Sequence, residues 1–102
     1  MTQVEIVSRD EKELRIALRG EIDSGIAEEF YKTVCAAYEQ APAHLVFACE
    51  ELEFIDSTTL GTFVKILKKV KTDGFGLHLV GLQAKIKKLF VICSLDTIME
   101  IA

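Results

Sequence analysis

The stretch from His44 to Thr72, HLVFACEELEFIDSTTLGTFVKILKKVKT, decides the fold class. It opens with Leu45, Val46 and Phe47 as an unbroken apolar run, the mark of a strand covered on both faces in a parallel sheet. From Ser57 the period changes. Leu60, Phe63, Val64, Leu67 and Val70 recur at helical spacing, with Lys65, Lys68, Lys69 and Lys71 largely opposite them. The lysines fall late, where they complement the negative end of the helix dipole. A buried strand running into an amphipathic helix is half of a β-α-β unit, so a parallel centre is expected.

Working outward, Thr2 to Ser8 and Leu14 to Ile22 alternate apolar and polar residues as strands do, and Arg9 to Glu13 is a tight polar turn, so a hairpin opens the chain. Asp23 or Ser24 is placed to cap a helix carrying Ala27, Phe30, Tyr31, Val34 and Tyr38, which must end before Pro42. After the central unit, Asp73 to Gly76 is a turn and Leu77 to Val80 a short buried strand. A third helix spans about Gln83 to Cys93, with Ile86, Leu89, Phe90 and Cys93 on one stripe, and Thr97 to Ile101 reads as a last strand. The order β β α β α β α β implies an α/β fold, a mostly parallel mixed sheet of about five strands with right-handed crossovers and helices packed on it. At 102 residues this is one domain.

Composition excludes several functions. Half the residues are apolar, yet no run approaches the roughly 18 needed to span a membrane, and the acidic start lacks the character of a signal peptide. A cytoplasmic protein is expected. Cys35, Cys49 and Cys93 are odd in number and form no CxxC pair, so reduced thiols are expected rather than a disulfide framework or a metal site. Charge is lopsided: Met1 to Asp56 holds thirteen acids and five bases, and Ser57 to Ala102 seven lysines and three acids. Lysines without arginine forks or interleaved aromatics are a poor kit for nucleic acid. Solvated helix faces account for them. Lys85, Lys87 and Lys88 nevertheless oppose the dipole of their helix, which an acidic partner or lipid headgroup would offset.

In a parallel sheet, chemistry collects outside the carboxyl ends of the strands. That places Glu21 to Ser24 and Glu50 to Ser57 together as loops, each leading from a strand into a helix. The second loop ends in IDSTTLG, Ile55 to Gly61, an acid and three hydroxyl residues before an apolar helical stripe. Ser57 there is ordinarily an N-cap, and the same helix end also welcomes a phosphate.

The order of elements and the stretches ALRGEIDSGIAEEF, IDSTTLG and LHLVGLQAKIKKLF resemble the STAS domain of bacterial anti-sigma factor antagonists over nearly the whole chain. On that resemblance, Ser57 corresponds to the phosphoacceptor, and Asp23 and Asp56 to acidic residues on a partner-facing surface that also includes Ser24, Thr58 and Thr59. The implied mechanism is partner switching. The unphosphorylated antagonist binds an anti-sigma factor that is also a serine kinase, phosphorylation releases it, and a metal-dependent Ser/Thr phosphatase resets it. The protein is then ligand and substrate, not enzyme, with no cofactor, and a monomer or weak dimer. It departs from the pattern at Thr59, where many relatives have glycine and where a β-branched residue would crowd a kinase, and in stopping at Ala102, where relatives often continue into a further helix.

Three alternatives stay open. One is an unphosphorylated interaction subunit of the same fold, such as a stressosome-like scaffold or a lipid-transport ATPase component. Another is a hydrolase using Ser57 with His44 or His78, although no GxSxG elbow is present. The third is a nucleotide binder, for which Gly74 and Gly76 provide only a turn.

Overall fold

A computed structural model describes residues 3–102 of the chain. The expected strand start at Thr2 lies outside the described residues; the first strand observed is β1 (Val4–Arg9), followed by β2 (Glu13–Ile22), α1 (Ala27–Gln40), β3 (His44–Ile55), α2 (Ser57–Thr72), β4 (Leu77–Val80), α3 (Ala84–Ile92), a 3₁₀ turn (Leu95–Thr97) and β5 (Glu100–Ile101). The five strands lie in sequence order. β1 pairs antiparallel with β2, and all other pairs are parallel. The hairpin turn is set by Asp10, whose carboxylate accepts the N–H groups of Lys12 (2.7 Å) and Glu13 (2.8 Å).

Alternation on β2 sends Leu14, Ile16 and Leu18 to one face, where they join Leu45, Phe47, Leu77 and Leu79 in the core. Phe47 of that face stacks edge-on with Phe30 of α1 (6.1 Å) and Phe63 of α2 (5.4 Å), and Phe63 in turn meets Phe90 of α3 (5.5 Å). All three helices therefore share one face, as crossovers of one hand require when strands are added in one direction. This corrects the expectation that β3 is covered by elements on both sides. The opposite face carries Arg15, Ala17, Arg19, Val46, Ala48, His78 and Val80, and no helix among the described residues lies on it. Val46 is nonetheless only 5% exposed, because its register neighbours Arg15 and His78 flank it.

Residues Glu50 to Ile55, expected as loop, continue β3. Pairing with β2 slips twice, between Ala17 and Arg19 and between Gly20 and Glu21, and each slip adds one residue to β3. Such bulges re-phase the strand, so Leu52 and Ile55, three apart, both face inward. On the β2 side of the second slip stands Gly20, at φ +66°, a backbone conformation that favours glycine. The interrupted period hid the strand. Thr97 to Ile101 differs in the other direction: a 3₁₀ turn and Met99 precede a strand of only two residues, Glu100–Ile101. At the far end, Arg9 of β1 donates to the carbonyls of Ala37 and Ala41 (2.9 Å to the latter), supplying the positive charge that the last turn of α1 lacks.

Candidate functional site

The amino ends of α1, α2 and α3 all lie at the edge where the parallel strands finish, because each helix follows a parallel strand directly. Two connections meet there. The short one between β3 and α2 is Asp56 alone, and Asp56, not Ser57, is the N-cap of α2. One carboxylate oxygen accepts the Thr59 N–H (2.9 Å), and the other reaches across to the N–H of Ser24 (2.8 Å) in the β2–α1 connection. The Thr59 N–H foremost, with support from Ser24, holds the Asp56 carboxyl below its ordinary value, so it is an anion at neutral pH. One aspartate thus caps a helix and clasps two loops.

Thr59 completes the clasp from beneath. Its side chain is fully buried, and its hydroxyl donates to the Ile22 carbonyl (2.6 Å) while lying 3.0 Å from the Asp56 carboxylate. Thr59 is therefore not on an exposed partner-facing surface, which corrects the expectation. Nor does its branched side chain crowd the approach to Ser57, since it points inward. The β2–α1 connection is held locally: the Asp23 carboxylate accepts the Gly25 N–H (2.9 Å), and the Asp23 carbonyl accepts the Ile26 N–H (3.1 Å). Because Asp23 is engaged in that turn, α1 starts at Ala27 with Ile26 at the N-cap and no side-chain cap, and neither Asp23 nor Ser24 caps it as expected.

Ser57 is left exposed as the first helical residue, with no hydrogen bond to its hydroxyl, and Thr58 beside it is also exposed. With Asp56 occupying the cap position and the Thr59 N–H, the first-turn N–H groups of Ser57 and Thr58 are not bonded to protein acceptors. A groove of about 520 Å³ opens from Ser24 and Thr58 and runs between α1 and α2, past Tyr31, Thr62 and Lys65. Lys65 sits over the Tyr31 ring, 4.5 Å from its centroid, a cation–π contact. These groove residues were missed from the sequence, although the spacing of Thr58, Thr62 and Lys65 marks one stripe of α2.

The histidines lie elsewhere. His44 stands at the start of β3, the opposite edge from Ser57, where its Nδ1 accepts the Gly76 N–H (3.0 Å) and its ring packs against Phe75. His78 pairs with Glu100 (3.1 Å) on the uncovered face of the sheet. Neither lies at the Ser57 end of the sheet, so neither serves the serine as the general base that the hydrolase reading named. Among the described residues no three His, Cys, Asp or Glu side chains converge as a metal site requires, and no helix is long and apolar enough to cross a membrane.

Comparison with known proteins gives this geometry a context. The anti-sigma-B factor antagonist of Bacillus subtilis (strain 168) is 32% identical over 96 residues, covering 94% of this chain and 87% of the relative. That of Listeria monocytogenes is 32% identical over 98 residues, covering 96% and 86%. Among solved structures, the anti-sigma factor antagonist SpoIIAA in its unphosphorylated form superposes with a TM-score of 0.77 at 17% identity, over 97% of this chain and 86% of that one. A Thermotoga maritima protein gives 0.80 at 27% identity, over 96% and 82%. The STAS domain pattern matches residues 3–102, and the chain belongs to the STAS domain family.

Proposed function

We propose that the protein is an anti-sigma factor antagonist that works by partner switching. Unphosphorylated, it binds an anti-sigma factor with serine kinase activity through the edge formed by Asp23, Ser24, Asp56, Ser57 and Thr58, and phosphorylation of Ser57 releases it. A Ser/Thr phosphatase restores the binding form. The protein acts in the cytoplasm as ligand and substrate, without a cofactor. One observation carries the reading: the Ser57 hydroxyl is exposed and unbonded at the start of α2, while its neighbour Asp56 does the capping. A phosphate added at Ser57 displaces no structural hydrogen bond.

Such a group brings about −1.5 to −2 charges. Against a partner carboxylate about 5 Å away, at an effective dielectric near 20, each unit costs about 3 kcal/mol, two decades of affinity. The helix dipole returns at most about 1 kcal/mol, which stabilises the modified helix and not the complex. Loss of binding with an unchanged fold is the expected outcome, blunted by salt.

The test is incubation with the host's anti-sigma factor and ATP. A single phosphate gained by the unchanged chain and absent from Ser57→Ala, with loss of the complex on modification, supports switching. Retained binding with no mass shift would instead make the chain a constitutive interaction subunit.

A further inference from the structure

The third helix does not bury what its sequence pattern offers. Of the expected stripe, Ile86 and Phe90 are buried, but Leu89 is 37% exposed and Cys93 is exposed; Val91 (46%) and Ile92 (67%) add to the apolar surface. The second half of α3, from Leu89 on, is apolar without interruption, and such a segment ordinarily packs on more than one side. Across from it, Phe54 at the end of β3 is 46% exposed. Phe54, Ile55, Ile86 and Leu89 enclose a groove of about 170 Å³, with Glu53 and Lys85 at its rim. That is well below the roughly 300 Å³ at which small-molecule sites begin, and suits a single inserted side chain.

Charge narrows the occupant further. Lys85, Lys87 and Lys88 crowd the first half of α3, which has no acid in its first turn and no side-chain cap, and none of the three is in an ion pair among the described residues. The neighbouring helix starts carry the opposite sign: Asp23, Glu28 and Glu29 around α1 and Asp56 at α2. The edge therefore has an acidic half and a basic half. Ile55, a wall of the groove, directly precedes Asp56, so the groove and Ser57 lie at the same end of the sheet.

We infer that the groove between Phe54 and α3 is a second contact for the same anti-sigma factor, receiving one apolar side chain that the partner presents beside carboxylates. This rests on the antagonist reading above. The lysines steer the encounter and the groove holds the complex. Modification of Ser57 acts on the acidic half, while the basic half keeps its attraction for the partner.

The test measures association and dissociation of the full chain with the host's purified anti-sigma factor, using Lys85→Glu/Lys88→Glu, Phe54→Ser and Ser57→Asp, each checked for folding by circular dichroism. All the altered positions are exposed. The charge reversal is expected to slow association about tenfold and to reduce its salt dependence, and Phe54→Ser to speed dissociation about tenfold. If both variants bind as tightly as the unchanged chain while Ser57→Asp does not, the groove is no contact and the antagonist reading stands. Should neither the unchanged chain nor Ser57→Ala bind the anti-sigma factor, that reading falls and takes the inference with it. If the variants spare that complex but lose attachment to phosphatidylglycerol vesicles, or lose self-association in sedimentation, the groove serves a lipid surface or a second copy and the inference is overturned.

Discussion

Thr59→Val tests whether the loop clasp is a structural device. Valine keeps the branched shape of the fully buried threonine and removes only the hydroxyl that donates to the Ile22 carbonyl at 2.6 Å. Packing is conserved, so the lost hydrogen bond and the stranded carbonyl carry the effect. Removing one partner of a buried hydrogen bond costs about 1–3 kcal/mol, because the other partner has surrendered its water. Taking about 2 kcal/mol, the urea midpoint should fall by roughly 1 M, with an unchanged slope. The melting temperature should fall by about 10 °C. Thr59→Ser keeps the hydroxyl and loses one methyl, so it should cost only about 1 kcal/mol. Equilibrium urea unfolding followed by circular dichroism reads all three proteins. A Thr59→Val chain at least as stable as the unchanged one, or less affected than Thr59→Ser, would refute the claim that this hydroxyl ties β2 to α2.

Asp56 gives a pH signature. Because its folded carboxyl titrates below the ordinary carboxylate value, its contribution is present above the unfolded value of about 3.9 and disappears as pH falls through the folded one. Asp56→Asn should therefore be less stable than the unchanged chain at pH 7, the gap closing in acid; a gap independent of pH contradicts the assignment. Burial pushes the Cys49 thiol up to about 12, whereas Cys93 is exposed. Iodoacetamide at pH 8 should label Cys93 first and Cys49 only after denaturant is added, read by peptide mass spectrometry; native labelling of Cys49 at the rate of Cys93 contradicts this. Phe63→Ala, which empties the ring position shared by Phe30, Phe47 and Phe90, should cost about 3–5 kcal/mol in urea unfolding.

The elements that sequence located most closely are those with an uninterrupted period. α2 starts and stops at Ser57 and Thr72, and β4 at Leu77 and Val80, because the apolar spacing there is unbroken and turn residues bound it. Glu50 to Ile55 was illegible as strand for a definite reason: two bulges put Leu52 and Ile55 three apart, a spacing that matches neither a flat strand nor a loop. The start of α1 was misplaced because Asp23 can serve a turn as well as a cap, and local sequence does not choose between them. At the site, the meeting of Ser24 with Asp56 and Ser57 was legible from the rule about carboxyl ends of parallel strands. The direction of Thr59 was not. It depends on the Ile22 carbonyl, 37 residues away in sequence. Leu89 and Cys93 fit the helical stripe of α3, yet nothing in their spacing tells that both are left exposed.

The sheet side without helices has a consequence for behaviour at high concentration. Ala17, Ala48 and Val80 form half-buried apolar ground on which a second molecule's sheet could lie. Arg19 rises out of that ground, clamped between Glu5 (2.7 Å) and Glu51 (2.9 Å). At such exposure these ion pairs add little to folding. Stacking two molecules through this side would strip them of water without offering new counter-charges, a penalty that apolar contact between alanines and valines does not offset. The triad therefore opposes sheet-to-sheet stacking of two copies, while the strand ends beyond it remain free to be occupied.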